Sequence, residues 1–249
     1  MITTKAPNDW RGLQNDVARI LRECGFNVEV EKVIQGARGA VEIDVYAEEN
    51  VRGRKYSIVC ECKNWKSRVP QNVIHGFRTV LGDVGANIGY IISTAGFQSG
   101  SFNAADLTNV KLVDWSEFQD DFEGSWYDNF FVPEITRRLD PLLRYTEPLL
   151  PRWVDELSDE DAEQFFRLKK KYDEFGLLMM TFSIYLRFMN AAKIELPLSN
   201  CPPIHPGFGA SIPQDILEHT SYREFLEDAF AFGEEGLAQF KAIHDRYVP

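Results

Sequence analysis

The hydrophobic pattern of the first 120 residues switches between helical and strand periods several times. Residues 9–24, DWRGLQNDVARILREC, set Leu13, Val17, Ile20 and Leu21 on one helical face, with Gly25 as a C-terminal stop. FNVEVEKVI then alternates with period two, and QGARGA is a glycine-marked turn. VEIDVYAEE is a second strand with Val41, Ile43 and Val45 on one face. VRGR turns the chain into a third strand, KYSIVCECKNW, where Ile58, Cys60 and Cys62 face one way and Val59, Glu61 and Lys63 the other. Pro70 suits the first turn of a helix over about 70–82. ANIGYIISTAGF reads as a buried strand, a short helix follows near 101–108, and VKLVDWSEF is a last strand running into a turn. The order αβββαβαβ predicts an α/β, restriction-endonuclease-like arrangement: a mixed central sheet flanked by helices.

From about 125 the pattern becomes helical only. Ser158 with Asp161 resembles a capping box before DAEQFFRLKKKYDEF, and Gly176 separates off a very apolar helix at 177–192. LPLSNCPPIHPGFGASIP, 196–213, is rich in Pro and Gly and reads as loop. TSYREFLEDAFAF and EEGLAQFKAIHDRY close the chain as helices, and Phe165, Phe166, Tyr172, Phe175, Phe182, Tyr185 and Phe188 supply an aromatic core. The expected organisation is an α/β domain over 1–124 followed by an all-α domain over 125–249.

Composition narrows the setting. With 44% hydrophobic and 13% aromatic residues, the 249-residue chain can bury a core, which excludes global disorder. The window 177–192 carries Arg187 and Asn190 and is short for a membrane span, so a buried helix is expected. The opening residues lack the basic-then-apolar layout of a signal peptide. The four cysteines contain no CxxC pair, and the histidines at 75, 205, 219 and 244 show no ligand spacing with them, which speaks against zinc. The expectation is a soluble cytoplasmic protein without membrane association.

The net charge of −11 argues against nucleic acid until its distribution is read. Residues 1–120 hold 14 Lys and Arg against 15 Asp and Glu, whereas 121–249 hold 13 against 23. Within the first half, 51–78 has seven basic residues and one acidic one. A local basic strip beside a few carboxylates suits a phosphodiester substrate. The acidic half would repel DNA, so its expected partner is a protein, a second copy of the chain or a regulatory ligand.

Asp44 lies on the second strand, and Glu61 and Lys63 share a face of the third. Pairing across the 51–54 turn would bring the three together. Carboxylates on strands of a sheet are costly to bury without compensation, and two of them suit Mg²⁺, which prefers oxygen ligands. A lysine beside them suits an attacking water and a negatively charged phosphorus centre.

These residues resemble the PD-(D/E)xK nuclease superfamily, and most closely the Mrr-like restriction endonucleases. The resemblance covers about 9–118: the helix LQNDVARILRECGFNVEV, the turn and strand GARGAVEIDVYA, the strand IVCECKNW, and the later IGYIISTAGFQSGSFNAA. It implies a Mg²⁺-dependent endonuclease acting on DNA, with Mn²⁺ as a possible substitute and restriction or phage defence as the setting. Asp44 and Glu61 match the metal ligands, Lys63 matches the catalytic lysine, and Cys62 falls at a variable, core-facing position. The family often carries a glutamate on its first helix, where this chain has Gln14, a departure that puts a second metal in doubt. Glu42, on Asp44's face, is an auxiliary candidate, weighed against an exposed or salt-bridged strand residue. Gln71 at the next helix start is another, weighed against a plain helix opener, and His75 reads as structural. Lys66 and Arg68 are candidates for phosphate contact, weighed against solvation. For Trp65, Phe77 and Phe97, packing outweighs DNA contact. Two other readings stay open: a catalytically weak module that binds nucleic acid or a partner, and a nuclease for branched DNA or RNA.

Overall fold

A computed structural model describes residues 1–182, 193–201 and 208–248. The chain forms two compact units, one of Met1 with Lys5–Phe130, the other of Ile2–Thr4 with Phe131–Pro249.

The first unit is built on a five-stranded sheet in the order β1-β2-β3-β4-β5: β1 Asn27–Gly36, β2 Gly39–Val51, β3 Arg54–Lys63, β4 Ile88–Ser93 and β5 Val110–Val113. β1, β2 and β3 are antiparallel, while β3, β4 and β5 run parallel through helical crossovers, giving the expected mixed sheet. The β2–β3 hairpin closes on Arg52 and Gly53, whose φ values of +50° and +78° suit the tight turn that matches strand twist. Helices α1 (Trp10–Glu23) and α4 (Trp115–Trp126) cover one face of the sheet, and α2 (Gln71–Val84) and α3 (Ser99–Ala105) the other. On the α2 side, Ile74, Phe77 and Leu81 pack on Val59 and Ile91. On the α4 side, Phe118 and Phe122 meet Tyr90 with ring centroids 5.7 and 5.5 Å apart.

Two expectations for this unit need correction. The DWSEF stretch opens α4 instead of a turn: Asp114 and Glu117 exchange both hydrogen bonds of a capping box, and Phe118, Phe122 and Trp126 recur at helical spacing. The strand reading stopped at the short apolar run and missed Asp-x-x-Glu. Nor do Val41, Ile43 and Val45 share one face. Val41 and Ile43 pack in the α2-side core together with Tyr46, three positions after Ile43, so β2 changes face across Asp44 and Val45. Opposite that point Glu31 has φ +53°, and the β1–β2 ladder passes from Val30–Val45 to Lys32–Ile43 without a Glu31–Asp44 pair.

The second unit is helical in its described residues. After the π turn Tyr127–Phe131, whose first four residues close the first unit, come α5, Val132–Thr146, and α6, Asp159–Phe182. A short α7, Gln214–Glu218, precedes α8, Tyr222–His244. Gly176 does not break α6. A Cβ there would lie 2.2 Å from Thr146 Oγ1, so this glycine allows α5 and α6 to cross closely. The remainder of the expected helix, 183–192, lies outside the described residues, as do Tyr185 and Phe188. Of the 196–213 loop, Leu198–Asn200 form a 3₁₀ turn, and 202–207 lie outside the description.

The two expected closing helices are one, continuous through Gly233 and Gly236, which face Phe175 and Tyr172. Ser158 caps the amide of Asp161 at 3.2 Å, but the Asp161 carboxylate serves Arg246 and Tyr247 instead of completing a box. Phe165, Tyr172, Phe175 and Phe182 are buried as expected, whereas Phe166 is half exposed. Among the described residues, no helix is long and apolar enough to cross a membrane.

Candidate active site

The site lies where two paired strands part. The β2–β3 ladder ends at Val45–Cys60. Beyond it β3 continues to pair only with β4, Glu61 opposite Ile91 and Lys63 opposite Ser93. The freed Cys62 amide is taken up by Asp44, whose Oδ2 accepts from it at 2.7 Å. Asp44 Oδ1 accepts from Gln14 Nε2 at 2.9 Å, so two donors fix the carboxylate in the gap between the strands. Glu61 and Lys63 follow Val59 on the α2 face by alternation, and the Lys63 ammonium donates to Glu61 Oε1. The side chains of Glu61 and Lys63 are 27% and 17% exposed, enough for a ligand to reach them.

Burial pushes the Glu61 carboxyl above its ordinary value, and the nearby Asp44 charge pushes it further, against the pull of Lys63. Because the folded value is raised, Glu61's favourable contribution is fully present below the unfolded glutamate range and is lost as pH rises through the folded value. In metal-free buffer, Glu61→Gln should therefore raise the melting temperature at neutral pH, with the gain disappearing in acid below the unfolded glutamate range. Equal gains at both pH values in paired thermal melts would show that charge is not the cause.

Gln14 is 1% exposed, and its Oε1 has no hydrogen-bond partner. An orphaned buried carbonyl is costly. Here it belongs to a side chain whose other end holds Asp44. Two carboxylates and an open amide oxygen make an all-oxygen donor set, which fits Mg²⁺ or Mn²⁺ and suits a thiolate-seeking metal poorly. Among the described residues, no group of three or more His, Cys, Asp or Glu could hold a metal, so any cation would rely on Asp44, Glu61 and neutral oxygens. The neighbouring thiols are not rivals: burial raises Cys60 and Cys62 well above the ordinary thiol value.

The other candidates fall around this cluster. Glu42 is exposed and stands opposite Val33 in the β1–β2 ladder. Gln71 opens α2, where its amide meets His75 at 3.1 Å and its carbonyl end abuts Gly100. Lys66 and Arg68 are both exposed in the loop leaving β3. Phe77 and Phe97 are buried, as packing residues should be, but Trp65 is 41% exposed and its ring lies 5.1 Å beneath the Lys63 ammonium.

Sequence reading missed how this loop is held. Val69 N–H donates to Gly96 O at 2.9 Å, Gln98 N–H to Val69 O at 3.0 Å, and Ser101 Oγ to Val69 O at 2.8 Å. Thr94 adds a bond to Asn64 Oδ1 at 3.0 Å. The stretch after β4 therefore clamps the loop after β3. Its only sequence signal is Gly96, which has φ +74°.

Comparison with known proteins agrees with this arrangement. The family model for the Mrr catalytic domain, described as a restriction endonuclease, matches residues 6–121. No curated protein matches the sequence. A solved structure of a protein of unknown function, AF1548, is similar at 21% identity and a TM-score of 0.39, over 67% of this chain and 83% of that one. The family match, the mixed sheet and the order of its elements agree: residues 6–121, in the N-terminal half of this chain, are a restriction endonuclease domain of the Mrr type.

Proposed function

We propose that the first unit is a Mg²⁺-dependent endonuclease that hydrolyses DNA phosphodiester bonds, with Asp44 and Glu61 as metal ligands and Lys63 as the catalytic lysine. The observation that carries this reading is the Asp44 carboxylate, held by Gln14 and the Cys62 amide beside a Glu61 whose ionisation it opposes. Such a cluster is unfavourable in isolation and is relieved by a cation. Mg²⁺ bound there supplies positive charge against the negative charge that develops on the phosphate. Lys63 adds a second cation at the same edge and can orient a water through its ammonium. Gln14 orients Asp44 through its amide nitrogen and leaves its oxygen free for a water or the cation. Lys66 and Arg68, exposed in the adjoining loop, are the phosphate contacts.

Restriction or phage defence is the setting we favour, supported by the family of the first unit. The acidic helical unit is then the control or assembly element, recruiting a protein partner or a second copy of the chain. A neutral Gln14 in the family's often acidic position favours one rival, a weakened nuclease fold that binds DNA or a partner without cutting. Incubating supercoiled plasmid with the purified chain separates the two. Nicked and linear product in Mg²⁺ and none in EDTA is expected, whereas DNA binding with no cleavage in Mg²⁺ or Mn²⁺ would favour the rival.

Gln14 gives a test that does not depend on turnover. Replacing it with glutamate removes the donor to Asp44 and adds a like charge. Gln14→Glu should melt lower than wild type in EDTA and gain more in melting temperature on adding Mg²⁺. Its cleavage at low Mg²⁺ should equal or exceed wild type, and Gln14→Ala should lower it a few-fold. Identical melts and metal titrations for all three proteins would mean that α1 does not serve the site.

A further inference from the structure

Of the five tryptophans, Trp10 and Trp65 are markedly exposed, and Trp65 stands beside Lys63 of the candidate site. Trp65 is 41% exposed, two residues after Lys63, and the Lys63 ammonium sits 5.1 Å from its ring centre. Trp10 is 47% exposed, and the Arg11 guanidinium lies 5.4 Å from its ring centre. Exposing a large aromatic ring to water is unfavourable, and these rings each carry a cation at one face. The segment Asn64–Pro70 contains no carboxylate and has Lys66 and Arg68 exposed. It is also tethered through Val69 to Gly96, Gln98 and Ser101, so Trp65 stands on a fixed loop.

Exposed aromatic rings interleaved with cations form a platform for unstacked nucleobases. The cations track the backbone, and the rings accept any base by its face. Bases inside an intact duplex are stacked on one another and cannot offer that face. We infer that this site takes DNA with unpaired bases beside the phosphate it acts on, a single-stranded or locally opened stretch, and that Trp65 stacks on one such base. The inference rests on the reading that Asp44, Glu61 and Lys63 act on DNA, and it narrows that reading to a substrate class.

The test is binding of the full chain to a labelled single-stranded oligonucleotide and to the blunt duplex of the same sequence, with Ca²⁺ replacing Mg²⁺. Wild type should prefer the single strand. Trp65→Ala should weaken single-strand binding about tenfold, the scale of one stacked base, and change duplex binding by less than about twofold. Trp65→Phe should restore most of the single-strand affinity, and Lys66→Ala should weaken both DNAs alike. A duplex preference, or equal losses on both DNAs in Trp65→Ala, would overturn the inference. So would a failure to bind single strands. If the same preparation still nicks plasmid in Mg²⁺, the nuclease reading survives that result. If Trp65 governs single-strand binding but no DNA is cut, the nuclease reading fails and the platform stands.

Discussion

Lys63→Ala is expected to reduce DNA cleavage by a hundredfold or more while the fold is retained, the scale on which a preorganised charge at a reacting centre acts. The Lys63 side chain is 17% exposed and its ammonium donates to Glu61 Oε1. Its removal leaves Glu61 without the one group that lowers its pKa, so the carboxyl should rise further and take up a proton more readily. The loss should therefore be steeper at mildly acidic pH than at alkaline pH. Lys63→Arg keeps the charge but replaces a compact ammonium with a planar fork, and should recover only part of the activity. Initial rates on plasmid at several pH values, with circular dichroism to confirm folding, check each part. Wild-type rates in Lys63→Ala would remove this residue from the mechanism.

The largest expected stability effect lies at the end of the first unit. Trp126 is fully buried, and its indole N–H donates to Glu23 Oε2 at 2.6 Å, tying α4 to the end of α1. Trp126→Ala should cost roughly 3–5 kcal/mol, the range for deleting a large buried aromatic side chain. Denaturant unfolding of the full chain, following the transition of the first unit, measures it. The same residue bears on where the nuclease unit ends. A fragment stopped at 124 deletes Trp126 and the turn after it, whereas one carried to Phe130 retains the compact unit. The longer fragment should express as the better-folded protein, and a change below about 1 kcal/mol in Trp126→Ala would argue against that division.

The candidate site was legible because its residues sit on strands with a period of two. That period puts Glu61 and Lys63 on one face, and a hairpin of known length brings Asp44 level with them. The bend that seats Asp44 was not legible. Val41, Ile43 and Val45 alternate perfectly in sequence, yet the strand changes face between Ile43 and Tyr46 opposite a left-handed Glu31. A tertiary constraint overrides the local pattern there, and it leaves the acidic side chain in the gap to take up the Cys62 amide.

Helix α4 was legible in principle through Asp114 and Glu117, but the preceding strand is only four residues long and hid the change of period. In the second unit, Gly176 and Gly233 look like helix breaks in sequence, and Gly236 lies inside an expected helix. They are contact points between helices, a distinction that depends on Thr146, Phe175 and Tyr172 from distant parts of the chain. Trp65 illustrates the converse: aromatic residues usually pack, and only the exposure of its ring shows that this one does not.

The most direct test of the central claim compares plasmid cleavage by purified wild type, Asp44→Asn and Glu61→Gln across a Mg²⁺ titration, after thermal melts establish that all three are folded. Wild type should nick and linearise the plasmid in Mg²⁺ and be silent in EDTA, and neither variant should cut at any Mg²⁺ concentration. Undiminished cleavage by either folded variant would contradict the assignment of Asp44 and Glu61 as the metal-binding pair.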